Sequence, residues 1–335
     1  GLIILGRESE LTLIDYMDRT VTVNLPINRI ISLHGGVTKA MRMLRPESEM
    51  GIVGIPPYTM STVFFPEISE LPVISTYPEV DVEKILSLEP DIVLCSQYHV
   101  DPLEEQLPAS IPVVVFSFCK LWMLEEELKK LGYILGEEKN MDAYCEFHDK
   151  YIDLVKERTE GIPEGDKPKV YYETVWGEWS TYGAGTGLQW HTETAGGINI
   201  FAEETSYPVV DGEAVAFANP DIIIRELCVW MGENGGYDVD DFSGMIALRY
   251  EMIGREVLKD VTAVPNGTYV MCEEIIYGVS FPVATIYLAK IFHPDLFADV
   301  YPEAVHQEFL DIFPEFDYDV TEHGTFVYPE PPEPS

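Results

Sequence analysis

Positive charge is scarce in this sequence: 21 Lys and Arg stand against 58 Asp and Glu in 335 residues, a formal charge of −37. No local cluster of Lys and Arg offsets the imbalance, so phosphate backbones and anionic headgroups are repelled and nucleic-acid binding is excluded. Such acidity fits the surface of a salt-tolerant or secreted protein. Cysteine is sparse as well: Cys95, Cys119, Cys145, Cys228 and Cys272 occur singly, with no CxxC pair or zinc-type spacing, which reads as buried thiols rather than structural disulfides. No apolar run approaches the roughly 18 to 20 residues of a membrane span. Motifs of catalysis are missing too, since there is no G-x-S-x-G elbow, no H-E-x-x-H helix and no P-loop, and the seven histidines are widely dispersed.

What is present is a globular composition, 46% apolar, long enough for one large or two medium domains. Short apolar runs recur between breaks and helical patterns: Arg29-Ile-Ile-Ser-Leu33, Gly51-Ile-Val-Gly-Ile55, Asp91-Ile-Val-Leu-Cys95 and Ile111-Pro-Val-Val-Val-Phe116. They are too short and too β-branched for buried helices and read as parallel strands. From Leu121 to about Glu160 the texture becomes helical, with Leu121, Leu124, Leu128, Leu131 and Leu135 spaced by three and four and a break at Gly136. The strand pattern resumes with Lys169-Val-Tyr-Tyr-Glu173, Asp221-Ile-Ile-Ile-Arg225 and Tyr269-Val-Met-Cys-Glu273. The organisation reads as an α/β fold: a first β/α lobe over 12–120, a helical segment over 121–161 whose second half joins the lobes, and a second β/α lobe over 166–318. An acidic, proline-rich stretch follows over 319–335, expected as a stiff solvated tail. At the other end Leu2-Ile-Ile-Leu5 fits either the end of an export signal or a first strand, and the natural start is not visible. Asn266-Gly267-Thr268 matches a glycosylation sequon, a weak signal at this length.

An internal repeat supports two lobes. Val80-Asp-Val-Glu-Lys-Ile-Leu-Ser-Leu-Glu-Pro-Asp-Ile-Val-Leu94 aligns without gaps to Val210-Asp-Gly-Glu-Ala-Val-Ala-Phe-Ala-Asn-Pro-Asp-Ile-Ile-Ile224. Each copy spells an Asp N-cap, a short helix stopped by Pro, and a buried strand. With Asp81 and Asp211 as caps, Glu83 and Glu213 fall at the second helical position, outside the capping-box geometry and free to face outward.

These segments, together with Thr194-Ala-Gly-Gly-Ile-Asn-Ile-Phe201 and Leu288-Ala-Lys-Ile-Phe-His-Pro-Asp-Leu-Phe297, resemble the class III periplasmic-type substrate-binding proteins of ABC importers. That family serves ferric siderophores, haem and cobalamin, and the resemblance covers roughly residues 12 to 314. It implies two lobes with mainly parallel central sheets, one long rigid connector helix, which Glu137 to Gly161 matches, and a ligand cleft between the lobes. It also implies an extracytoplasmic monomer, anchored at the cell surface as a lipoprotein, that captures a metal chelate and delivers it to a permease dimer. Glu83 and Glu213 match the glutamates that pair with permease arginines in that family. No cofactor of its own is expected, the metal arriving inside the chelate.

In open α/β sheets ligands gather beyond the carboxyl ends of the strands, and here those ends are aromatic. They supply His34, Gly35, Tyr58, Gln97, Tyr98 and Trp122 from the first lobe and Trp176, Trp179 and Tyr182 from the second, a set suited to a flat or greasy ligand. Basic residues near those ends are few (Lys39, Lys120, Arg225), which favours a neutral or weakly charged chelate. Gly183-Ala-Gly185-Thr-Gly187 lacks the rest of a phosphate motif and reads as a flexible loop. Two alternatives keep the fold: a bare zinc or manganese site, for which His34, His99 and Glu173 are the candidates, and a chelatase-like enzyme.

Overall fold

The computed structural model describes residues 5–7, 10–56, 61–76, 79–137 and 141–334. The chain divides into two compact units, Gly1–Cys145 with Asp311–Asp317, and Glu146–Leu310 with Tyr318–Ser335.

The first unit opens with an antiparallel sheet of β1 (Leu5–Arg7), β2 (Glu10–Ile14) and β3 (Thr20–Asn24). Alternation makes it: Leu11 and Leu13 are buried while their strand neighbours are not. Its main sheet comprises β4 (Ile30–Ser32) and β5 (Ile52–Gly54) and, after a small antiparallel pair of β6 (Ser75–Thr76) and β7 (Glu79–Val80), β8 (Ile92–Cys95) and β9 (Val113–Val115). The order is β5-β4-β8-β9, all parallel. In the second unit β10 (Lys169–Glu173), β11 (Ile198–Asn199), β12 (Ile222–Leu227) and β13 (Thr268–Cys272) are parallel in the order β11-β10-β12-β13, and β14 (Val327–Tyr328) adds an antiparallel edge. The two parallel sheets share one winding, and every apolar run read as a strand forms one.

All four residues of β8 and all five of β13 are buried, as expected where helices cover both faces. Burying each large aliphatic side chain there stabilises the fold by about 1.5–3 kcal/mol.

The repeated segments form the same object twice. The Asp81 carboxylate accepts the Lys84 N–H at 2.9 Å and starts the helix Val82–Ser87; that of Asp211 accepts the Glu213 N–H at 2.8 Å and starts Gly212–Ala218. The second aspartate of each copy clips its strand to the neighbour. Asp91 donates its N–H to the Arg29 carbonyl and accepts the Asn28 and Arg29 N–H groups, and Asp221 does likewise with the carbonyl and N–H of Lys169.

The helix Met141–Thr159 spans about 28 Å, and the boundary between the units falls inside it. Its later turns are tied to the second unit by Arg158 to Asp299 at 2.5 and 2.9 Å and by Lys150 and Tyr151 to Glu308 at 2.7 and 2.6 Å. The preceding helix Leu124–Leu135 stops at Gly136, whose φ of 75° suits the left-handed cap.

Two assignments from sequence are corrected. Residues 311–317, placed within the second lobe, belong to the first unit: the Arg42 guanidinium donates to the Pro314 and Glu315 carbonyls, and Phe64 packs against Phe313 and Phe316 at 4.9 and 4.8 Å between ring centroids. The solvated tail begins later than residue 319, because Thr325 exchanges backbone hydrogen bonds with Gly236 and β14 completes the second sheet. Proline at 329 ends that strand rather than preventing it. The five cysteines are free thiols, with Cys95, Cys228 and Cys272 buried.

Candidate functional site

In each parallel sheet the chain turns from its first strand to one neighbour and then returns to the other side. The order therefore reverses between β4 and β8, and again between β10 and β12. Loops that leave the carboxyl ends of such strand pairs diverge and make room for a ligand.

At that edge of the first unit, His34 follows β4 and caps the helix Gly35–Leu44. Its Nδ1 accepts the Gly36 N–H at 3.1 Å, so Nε2 carries the proton and donates to the Ser117 carbonyl at 2.8 Å. Burial lowers its pKa to about 4, which keeps the ring neutral. A Cβ on Gly36 would come within 3.0 Å of Phe118, so this turn admits only glycine without a shift. The Glu127 carboxylate, on the helix Leu124–Leu135, accepts the Ser117 and Phe118 N–H groups at 2.5 and 2.7 Å and fixes the turn after β9, where Phe118 sits at φ 45°. Burial pushes this carboxyl up to about 7.

On this frame stand the exposed groups. Gln97 and Tyr98 follow β8, with Tyr98 60% exposed, and Trp122 follows β9, 53% exposed, with the Lys120 ammonium 5.2 Å from its ring centre. Gly35 is the first residue of the capped helix. Tyr58 lies outside the described residues.

The second unit presents a comparable edge. Trp176, past β10, is 51% exposed and meets Trp230, past β12, edge to face at 6.1 Å; Met231 and Tyr207 are exposed as well. Beside them lies a network of charge. Glu173, 1% exposed at the end of β10, accepts both Arg255 terminal nitrogens at 2.6 and 2.8 Å, the Trp179 N–H at 2.9 Å and the Tyr171 hydroxyl at 3.2 Å. Arg225 approaches the same carboxylate at 3.6 Å and pairs with Glu233 at 2.7 Å. Both arginines of this edge are therefore neutralised within the unit.

Trp179 and Tyr182 occupy other places than an open ligand surface. Trp179 holds a left-handed φ of 62°, with the Arg255 guanidinium 4.6 Å from its ring centre. A Cβ added to Gly212 would come 2.6 Å from the same ring, so Trp179 packs on the start of the helix Gly212–Ala218. Tyr182 has no exposed surface and its hydroxyl bonds that of Thr192, which corrects its assignment as a ligand contact. Position past a strand end does not say which way a side chain turns. The glycine loop is corrected too: Gly183 and Ala184 donate to the carbonyls of Ser206 and Glu204, and Thr186 caps the helix Gly187–Thr194, so the loop is tethered.

Two groups outside the expected ligand set matter here. Trp230 completes the aromatic pair and is marked by its place just past β12. Glu226, 1% exposed, is the acid inside the apolar run Ile222-Ile-Ile-Arg-Glu-Leu227; burial pushes its carboxyl up to about 7, outweighing the lowering influence of Tyr277 and the Val175 backbone.

The three bare-metal candidates each have partners of their own, His99 through its Nδ1 at 3.1 Å from the Ser96 hydroxyl. Both His34 ring nitrogens are engaged by backbone groups, and Glu173 is held by Arg255.

A model of the periplasmic binding protein family matches residues 30–272. The chain belongs to that family. It is a periplasmic-type binding protein of the class III, TroA-like kind, a family of substrate-binding transport proteins of ABC transporters. Among curated proteins it is similar to a cobalamin-binding protein of Halobacterium salinarum, 24% identical over 217 residues; the match covers 63% of this chain and 57% of that protein. Among solved structures, a TroA-like periplasmic binding protein from Veillonella parvula matches with a TM-score of 0.78 and 22% identity, covering 94% of this chain and 98% of the other. The molybdate periplasmic binding protein of Haemophilus influenzae matches at 0.76 and 18%, covering 92% and 98%, and a periplasmic heme binding protein from Pseudomonas aeruginosa at 0.60 and 20%, covering 80% and 94%. At these identities the structures attest the fold.

Proposed function

We propose that this binding protein captures a metal chelate that is neutral or weakly charged, a corrinoid before a siderophore or haem, and hands it to an ABC-transporter permease. The observation that carries this is the pairing of exposed Trp176 with half-buried Trp230 at the strand-order reversal of the second unit, a surface on which a flat ring or apolar face can stack. Trp122 and Tyr98 offer the same chemistry in the first unit. A tri-anionic ligand would need unpaired cations, and Arg225 and Arg255 are already matched by carboxylates. The curated relative named for cobalamin agrees with this choice.

Delivery runs through Glu83 and Glu213, both exposed in the first turns of equivalent helices, which pair with cationic side chains of the permease. The protein works as an anchored monomer at the outer face of the membrane. The test is a titration of cobalamin, haem and a ferric siderophore against intrinsic tryptophan fluorescence, with mass spectrometry of any co-purified ligand. Quenching by cobalamin is the expected result. An unchanged signal with every chelate, together with quenching by free zinc, would overturn the reading.

A further inference from the structure

The two proposed docking carboxylates stand in different company. In the second unit, Gly212 and Val215 turn inward, Val215 into the core with Tyr171, Ile223, Met252 and Leu258. The outer face of the helix carries Glu213 and, one turn on, Phe217, which is 93% exposed. Residues four apart share a helix face, so the carboxylate and the ring are neighbours. Val209, two residues before the cap, adds a second apolar side chain, 74% exposed. The first unit differs. The positions that align with Val209 and Phe217 are Glu79 and Ser87, both exposed, and the exposed apolar residue of that helix, Leu86, is only 39% exposed.

We infer that docking is asymmetric, and that the second unit supplies its anchor through Phe217. The occupant is the membrane subunit of the transporter, offering an apolar pocket bordered by a cationic side chain. This rests on the reading of Glu83 and Glu213 as docking residues. Charge complementarity defines the partner: among the described residues no cation pairs with Glu213, and a chain of net charge −37 repels any acidic surface. Apolar contact is the physical complement, because at about 1 M salt the Debye length is roughly 3 Å and exposed ion pairs lose most of their strength, whereas burial of a phenyl ring does not. Buried aromatic anchors dominate interfaces of this kind, charged rims setting orientation and rate.

The test uses the full-length protein and the purified permease–ATPase complex of its own transporter in phosphatidylcholine liposomes, with docking read as a dissociation constant at low and at high KCl. Phe217→Ser should weaken docking about thirtyfold at both salt concentrations, and Phe217→Leu should restore most of it. The pair Glu83→Ala with Glu213→Ala should weaken docking strongly at low salt and much less at high salt. Ligand affinity and melting temperature should stay unchanged in Phe217→Ser, since the ring is exposed in the free protein. Wild-type docking by Phe217→Ser, with loss in the double glutamate variant, would overturn the anchor and leave the carboxylate reading intact. Wild-type docking by the glutamate variant would overturn the reading beneath it. If Phe217→Ser abolishes a dimer that the wild type forms in light scattering, the occupant is a second copy and the assignment to the permease falls.

Discussion

Replacing Glu173 by Ala should unfold the second unit first, and the geometry sets the size of the effect. The carboxylate is 1% exposed and the Arg255 side chain 10%, so solvent screening discounts their attraction little. Removing one partner of a buried pair costs about 3–5 kcal/mol because the other charge stays behind. The Trp179 N–H and the Tyr171 hydroxyl lose an acceptor at the same time, although costs inside one network do not add. Arg255 keeps Glu251 as a partner, at 2.8 Å and half-exposed, which places the outcome nearer the lower end. At about 2–4 °C per kcal/mol for a unit of this size, the melting transition should fall by roughly 6–20 °C. Differential scanning calorimetry of Glu173→Ala, Arg255→Ala and the double variant gives the shift and the coupling energy. Glu173→Gln, which keeps the shape and one acceptor oxygen, should fall between Ala and wild type. A shift below about 2 °C, or a coupling below about 0.5 kcal/mol, would refute the view that this pair holds the edge of the sheet together.

Three further outcomes follow from the same geometry. Trp176→Ala and Trp122→Ala should each weaken chelate binding at least tenfold with little change in melting temperature, whereas Tyr182→Phe should lower the melting temperature and leave affinity intact; the reverse pattern in fluorescence titration and thermal scans would contradict the placement of these residues. Glu127 and Glu226 both have folded-state pKa values raised to about 7, so the folded protein binds these protons more tightly than the unfolded chain. Their contribution is full below the ordinary carboxylate range and is lost as pH rises through about 7, at up to about 1.4 kcal/mol per pH unit for each group. His34 and His191, lowered to about 4 and about 3, act in the opposite direction and cancel when wild type is compared with Glu127→Gln in denaturant unfolding from pH 4.5 to 8; a stability difference flat across that range would count against it. Finally, the continuous helix Met141–Thr159 should act as a strut, and small-angle scattering should show little compaction on ligand addition; a large change would contradict it.

The parallel strands were legible because β-branched runs such as Ile92-Val-Leu-Cys95 have one physical use, burial on both faces of a covered sheet. The repeat was legible because Asp and Pro punctuate both copies at the same spacing. Alternating strands were harder to see: Glu10–Ile14 and Thr20–Asn24 mix polar and apolar residues, and the β14 pair Val327–Tyr328 was obscured by the prolines after it. At the site, sequence placed aromatic residues at strand ends but could not orient them. Trp122 and Trp176 face water, while Tyr182 turns into the core, a difference set by Thr192 and by packing among distant elements.

The return of residues 311–317 to the first unit bears on the order of events during synthesis. A ribosome releases the chain N-terminus first, yet Arg42 finds its carbonyl acceptors, and Phe64 its aromatic neighbours Phe313 and Phe316, only when nearly the whole polypeptide has emerged. A nascent chain stopped at Leu310 would hold that guanidinium without those acceptors, and limited proteolysis should find its first unit cleaved faster than in the full-length protein. These contacts of the first unit therefore form only late in translation, after most of the chain has emerged.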